Sequence, residues 1–227
     1  MRIGVVSDIH SNLVALEAVL ADMPAVDQLV CAGDVVGYNP WPAACVDTLR
    51  ERGVPTVMGN HDRMVATGQN FQGNGMAQAG IEHAVEELHD VQRTWIENRP
   101  AEQRLADGRV RVIHDHPEFR DKYTYPDEFE PSLLGRGTDD DTPIEDVLIL
   151  GHTHVQHHET YAAGIVMSPG SVGQPRDEDP RAAYAVVDVD DLSVTEHRVE
   201  YDIDAVQAAV SDAGLPARTA DRLASGR

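Results

Sequence analysis

Lysine is almost absent from this chain: Lys122 is the only one, and every other fixed side-chain cation is arginine. Acidic residues dominate instead, with 39 Asp and Glu against 18 Lys and Arg, for a formal charge of −21. A surface of that sign repels nucleic-acid backbone and anionic lipid, which excludes partners held by general electrostatics. Dispersed acidity with so little lysine reads as adaptation to a saline, halophilic cytoplasm, where dense salt screens self-repulsion. An acidic protein from an ordinary cell with a GC-rich genome is the other reading; the saline one is preferred.

Cysteine is scarce too. Cys31 and Cys45 are the only two, without metal-ligand or Cys-x-x-Cys spacing, and both read as small core residues. Aromatics make up 5% of the chain, so the core should be mainly aliphatic. No apolar run approaches membrane-spanning length, and the N-terminus enters a strand without a signal-peptide core. The expectation is a soluble, cytoplasmic protein with no membrane or nucleic-acid partner, and a homo-oligomer is compatible with it. At 227 residues, a single domain over 1–227 can bury a substantial core.

Apolar runs at 2–6, 27–31 and 54–58 read as strands, with helices at 13–20 and 41–52 between them. That βαβαβ order predicts a mainly parallel sheet with polar loops at the strands' C-terminal ends. Residues 64–75 read as loop, and 76–98 as helix broken near His89 and Asp90. A hairpin turns at Asp107 and Gly108. Residues 116–145 hold few aliphatics and read as an irregular insertion, with a place over the site open to it. Strands follow at 147–150, 165–168, 184–188 and 192–199, then a helix at 204–213 and a loose tail.

What is abundant is histidine and carboxylate at strand ends. Asp8 and His10 follow the first strand, Asp34 the second, and Asn60 and His61 the third. His114 follows the hairpin, and His152 and His154 follow the strand at 147–150. Residues two apart on an extended segment can reach one centre when the chain bends after the strand. Carboxylates, imidazoles and an amide form a mixed oxygen and nitrogen shell, suited to Mn, Fe, Zn, Co or Ni rather than calcium. The donors are too many for one closed site, so a pair of metals is the natural reading.

The blocks Asp8-x-His10, Gly33-Asp34, Gly59-Asn60-His61-Asp62, the lone His114, and Gly151-His152-Thr153-His154 resemble the signature of calcineurin-like metallophosphoesterases. The stretches 33–40 and 168–176 resemble the small bacterial and archaeal branch in particular. The resemblance implies an α/β fold, a four-layer α/β/β/α sandwich around a dinuclear centre. It implies that Asp8, His10, Asp34 and His154 hold one divalent transition metal, Mn favoured, and that Asp34, Asn60, His114 and His152 hold the other, Asp34 bridging. His61 then faces the phosphoryl group as leaving-group acid or stabiliser. The implied reaction is hydrolysis of a small phosphorylated substrate, a mono- or diester, by in-line attack of a metal-activated water. A nucleotide or dinucleoside polyphosphate hydrolase, or a catalytically silent interaction scaffold, are the alternatives.

Two positions depart from the pattern. Protein phosphatases of the superfamily carry an aspartate three residues after the bridging one; Gly37 stands there, so His61 must be oriented otherwise. The usual His-Gly of the fourth block is His114-Asp115, and Asp115 reads either as reaching the site or as an outward turn carboxylate. Arg176 is a candidate substrate clamp, since guanidinium matches phosphate oxygens, or a structural residue of its turn. His83, His89, His116, His157, His158 and His197 have no motif to support them and read as surface or packing residues, His157 being the nearest to the site.

Overall fold

The computed structural model describes residues 1–68, 74–135 and 144–227. Strand β1 (Arg2–Val6) alternates faces, and both faces are buried. Ile3 and Val5 point between two sheets, while Val6 packs under the helices. Helix α1 (Leu13–Asp22) is capped by Asn12, whose side chain accepts from Ala15 N–H. It leads to β2 (Gln28–Cys31), which lies parallel to β1 with Val5 opposite Val30. Helix α2 (Pro42–Glu51) opens on the proline that suits a first helical turn.

The expected third strand contracts to one parallel bridge between Cys31 and Thr56. Pro55 has no N–H to donate, and Met58 N–H turns away to Pro100 O, so the ladder stops after one rung. The loop expected from residue 64 is instead preceded and partly replaced by α3 (Asn60–Thr67). Its start is polar because it carries the site, and that hides the helix from an apolar-period reading. Residues 69–73 of that expected loop lie outside the described residues. Helices α4 (Gly75–Glu87) and α5 (Asp90–Glu97) break where expected, at Leu88 and His89.

The hairpin is β3 (Glu102–Leu105) and β4 (Val110–Ile113), turning through positive φ at Asp107 and Gly108. Then come β5 (Val147–Ile149), β6 (Gln156–Tyr161), β7 (Gly164–Pro169), β8 (Ala182–Asp188) and β9 (Ser193–Val199). Strand β6 was not expected, because it is a half-exposed edge strand of polar residues. Helices α6 (Ile203–Asp212) and α7 (Ala217–Leu223) close the chain, α7 replacing the expected loose tail.

The sheets are ordered β2-β1-β8-β9 and β3-β4-β5-β7-β6. Both are mixed rather than mainly parallel: β1/β2, β4/β5 and β5/β7 are parallel and the other neighbours antiparallel. Ile3, Val5, Val110, Val147, Ile165 and Val187 fill the space between the sheets. Helices α1 to α5 cover the outer face of the first sheet. The outer face of the second sheet, Leu148 and Val166, is covered by Phe129, Leu133 and Leu134. Those residues belong to the expected insertion, whose described part holds two 3₁₀ turns at Pro126–Glu128 and Pro131–Leu133; residues 136–143 of it lie outside the described residues. These are the four layers expected, the fourth being irregular. Among the described residues, no helix is long and apolar enough to cross a membrane.

Candidate metal centre

The ligand-type residues gather where the two sheets present the C-terminal ends of β1, β2, β4 and β5. The backbone there is forced. Asp8, His10, Asp34, His152 and His154 all take positive φ, between 46° and 70°. That region is unfavourable for side chains other than glycine and persists only where surroundings impose it. Five of seven candidate ligands adopting it turns each side chain inward just after its strand ends.

Three imidazoles are held in the same way. The Nδ1 of His10 lies 3.1 Å from Val36 O, that of His114 2.8 Å from Ala32 O, and that of His154 2.6 Å from Gln174 O. A carbonyl only accepts, so each ring carries a proton on Nδ1 and turns its Nε2 inward, bare on His10 and His154, which burial keeps neutral. There the Nε2 atoms of His10 and His154 stand 3.1 Å apart, with Asp8 Oδ1 3.2 Å from His154 Nε2. Asp8 Oδ1 is buried without a hydrogen-bond partner. Asp34 Oδ2 lies 3.7 Å from His10 Nε2 and 3.4 Å from His114 Nε2, so one oxygen faces both halves of the cluster. Asn60 Oδ1 sits 3.2 Å from His114 Nε2. Asp8, His10 and His154 form one set close enough to share an ion, and Asp34, His114 and His152 another. Facing lone pairs and an orphaned buried carboxylate oxygen are repulsive as they stand, and a cation between them relieves both. The donor set therefore fits a pair of metal ions.

Charge follows from burial and proximity. Burial pushes His10 and His154 below the usual imidazole range, and His152 down to about 4. Burial also opposes charge on His114, but the carboxylates of Asp34 and Asp8 outweigh it and lift that ring to about 10. The same imidazoles hold both carboxylates below their ordinary values against the cost of burial, His154 acting on Asp8 and His114 on Asp34.

His61 lines a cavity of about 210 Å³ together with Asp34, Asn60, His152, His154 and Arg176. Its ring packs against His10 and Tyr38, centroids 4.7 and 4.9 Å away, and its backbone N–H donates to Asp34 Oδ1 at 2.8 Å. It could also share an ion with His10 and Asp34, so proximity alone allows it a ligand's role. Gly37 explains the first departure. It has φ of 103°, and a Cβ there would lie 2.4 Å from His61 Nδ1. An aspartate cannot orient the ring from that position because the ring already occupies its space. Gly59 is as confined, its Cβ position falling 2.0 Å from Asp34 Oδ1.

Asp62 ties two of the loops together. Its carboxylate accepts from the N–H groups of Val35, Val36 and Gly59 at 2.9, 3.2 and 3.1 Å. Asp115 takes the outward reading: it accepts from Asp121 N–H and belongs to none of the ligand sets found among the described residues. The segment after it does reach the site, since the Tyr123 ring stacks on His152 with centroids 3.9 Å apart. Arg176 joins the cavity, its guanidinium donating to Tyr38 Oη and Gln174 Oε1 at 3.2 and 3.0 Å. Its backbone N–H also bonds to His154 O, so it shapes the turn as well. His157 instead pairs with Glu159 on β6, and His158 with Glu196. Tyr38, Asn74, Tyr123 and Arg222 line the cavity without having been singled out as site residues. Tyr38 was within reach, as it stands in the motif at 33–40; Arg222 had no signal in the sequence.

The calcineurin-like phosphoesterase superfamily domain matches residues 1–192. A solved metallophosphoesterase from Sphaerobacter thermophilus is 32% identical, covers 100% of this chain and 99% of its own, and superposes with a TM-score of 0.81. A hypothetical protein from Pyrococcus horikoshii has the same fold, with a TM-score of 0.85 at 19% identity over 100% of this chain and 98% of its own. An uncharacterized protein of Methanocaldococcus jannaschii is 29% identical over 99% of this chain and 98% of its own. The chain belongs to the calcineurin-like phosphoesterase superfamily.

Proposed function

We propose that the chain is a dinuclear metal-dependent phosphoesterase hydrolysing phosphate mono- or diesters. The observation that supports it most is the pair of bare Nε2 atoms, on His10 and His154, facing each other beside the orphaned Asp8 oxygen. Asp8, His10, Asp34 and His154 would hold one ion, and Asp34, Asn60, His114 and His152 the other. Two divalent transition-metal ions held there, with Mn favoured over Fe, Ni, Zn and Co, would supply Lewis acidity toward the phosphoryl oxygens and toward a water.

The chain's own groups do the rest. Arg176 offers a fork of donors that matches phosphate oxygens, and Tyr38 and Gln174 hold that fork in place. His61 lies in the cavity wall, where it donates a proton or hydrogen bond to the departing oxygen. Burial lowers its pKa to about 4, so it is neutral before substrate arrives. The negative charge of an arriving phosphoryl group acts in the opposite direction and favours the protonated ring only in the complex.

The test is to strip the protein with chelator and assay para-nitrophenyl phosphate and its bis ester, adding back each transition metal singly. Hydrolysis should return with a transition metal and be strongest with Mn²⁺. No bound metal and no hydrolysis with any addition would leave the interaction-scaffold alternative.

A further inference from the structure

A second cavity, of about 850 Å³, shares Asn74 and Arg222 with the walls of the one over the ligand cluster. Its remaining lining includes Met76, Pro216 and Arg218, and none of the residues lining it is acidic. In a chain of formal charge −21 that is an unusual stretch of wall. Arg176 and Arg222 both line the smaller cavity. Among the described residues, Arg176, Arg218 and Arg222 make no ion pair with an Asp or Glu side chain. Arg181, Arg198 and Arg227 do, with Asp179, Asp177 and Glu178. Arg222 spends its Nε–H on the main-chain oxygen of Arg227 and keeps its terminal nitrogens for another partner. Arg176 Nε is buried without a hydrogen-bond partner.

Two guanidiniums lining one cavity, neither paired with an Asp or Glu side chain, repel one another, more strongly where water is partly excluded. Burial and the neighbouring Arg176 charge both lower the Arg222 pKa, the signature of that repulsion. An anion seated between them turns the repulsion into attraction for both. The scissile phosphoryl group is already accounted for by the metal centre. Arg222 and the groove past it therefore have capacity for a further negative group. Arg218 and Arg222 also lie on α7, beyond residue 192, where the match to the superfamily domain ends.

We propose that Arg222, together with Arg176, forms a second anion subsite, which binds a second phosphate group of the substrate while the groove along Arg218 receives the arm that carries it. The proposal rests on the phosphoesterase reading and narrows it to substrates with two phosphates. Guanidinium forks match phosphate oxygens in pairs, and a phosphate monoester carries nearly two charges to set against two cations.

The experiment compares propyl phosphate with 1,3-propanediol bisphosphate and its longer diol homologues, by titration calorimetry on the Mn²⁺-supplemented protein. The compounds within each pair differ only in the second phosphate. The wild-type protein should bind at least one bisphosphate ten times more tightly than its monophosphate, with the preference shrinking as KCl rises. Arg222→Gln should reduce that preference below threefold, and Arg222→Lys should keep part of it. Equal binding of both compounds by the wild type would overturn the proposal. So would a preference that survives Arg222→Gln, because it would then belong to the metal centre. If Arg222→Gln melts early, Arg222→Lys and the wild-type salt dependence still decide. A preference without hydrolysis of any ester would keep the subsite and remove the hydrolase reading. Hydrolysis without a preference would do the reverse.

Discussion

The Nε2 atoms of His10 and His154 stand 3.1 Å apart, although each ring already directs its Nδ1 proton to a backbone carbonyl. Neither ring has a second proton to place between them, because burial keeps both neutral. A protein without further purpose for these rings would let one turn away. Here positive φ at both residues holds them inward instead.

The first expected outcome is metal content. Purified protein should carry up to two transition-metal ions per chain, Mn, Fe or Ni in preference to Mg, since Mg²⁺ favours all-oxygen octahedra. Elemental analysis measures this directly. Chelation should also lower the melting temperature, because ligand binding to the folded state alone is stabilising. Metal-free protein as purified, with no thermal response to added Mn²⁺, would contradict the assignment.

Asp62 should matter to stability as well as to the centre. Its carboxylate accepts three backbone N–H groups from two loops, and replacing it with alanine leaves those donors buried and unpaired. Asp62→Ala should lose about 3 kcal/mol in denaturant unfolding, near the upper end for one buried polar truncation. Asp62→Asn should lose less, since one oxygen remains to accept. Equal losses in the two variants would argue against the hydrogen bonds as the cause.

These expectations show how unevenly the chain could be read before folding. The gathering of Asp8, His10, Asp34, Asn60, His114, His152 and His154 at one centre was legible because strand ends restrict position and the residue types stand out there. Strand β6 was not, because Gln156 to Tyr161 forms a half-exposed edge that needs no apolar alternation. Helix α7 was not either. Ala220 and Leu223 bury in a cluster with Val206, Val210 and Leu215, partners that are in place once α6 has docked. Arg222 owes its place in the cavity wall to that docking. The third strand failed on a local conflict, Pro55 within an apolar run.

Salt should stabilise this protein. With 39 acidic against 18 basic side chains, self-repulsion is screened as ionic strength rises. The melting temperature should climb as KCl is raised from dilute buffer toward molar concentration. A flat or falling profile would remove the halophilic reading and leave the metal centre as it is.

His61 and Asn60 share the first turn of α3 but should behave differently when removed. Asn60 offers its amide oxygen 3.2 Å from His114 Nε2, so Asn60→Ala should reduce metal occupancy along with turnover. His61→Ala should retain both metals and lose roughly 10²–10⁴-fold in turnover, the usual worth of a positioned general acid. The loss should depend on the leaving group. An activated phenol departs with little protonation and should suffer least, whereas an alkyl leaving group should suffer most. Two results would contradict the role. Loss of an ion from His61→Ala would make the ring a ligand alongside His10 and Asp34, which its proximity permits. A uniform loss across leaving groups would make it a fixed hydrogen-bond donor, the part a buried imidazole with a pKa of about 4 could play without ever accepting a second proton.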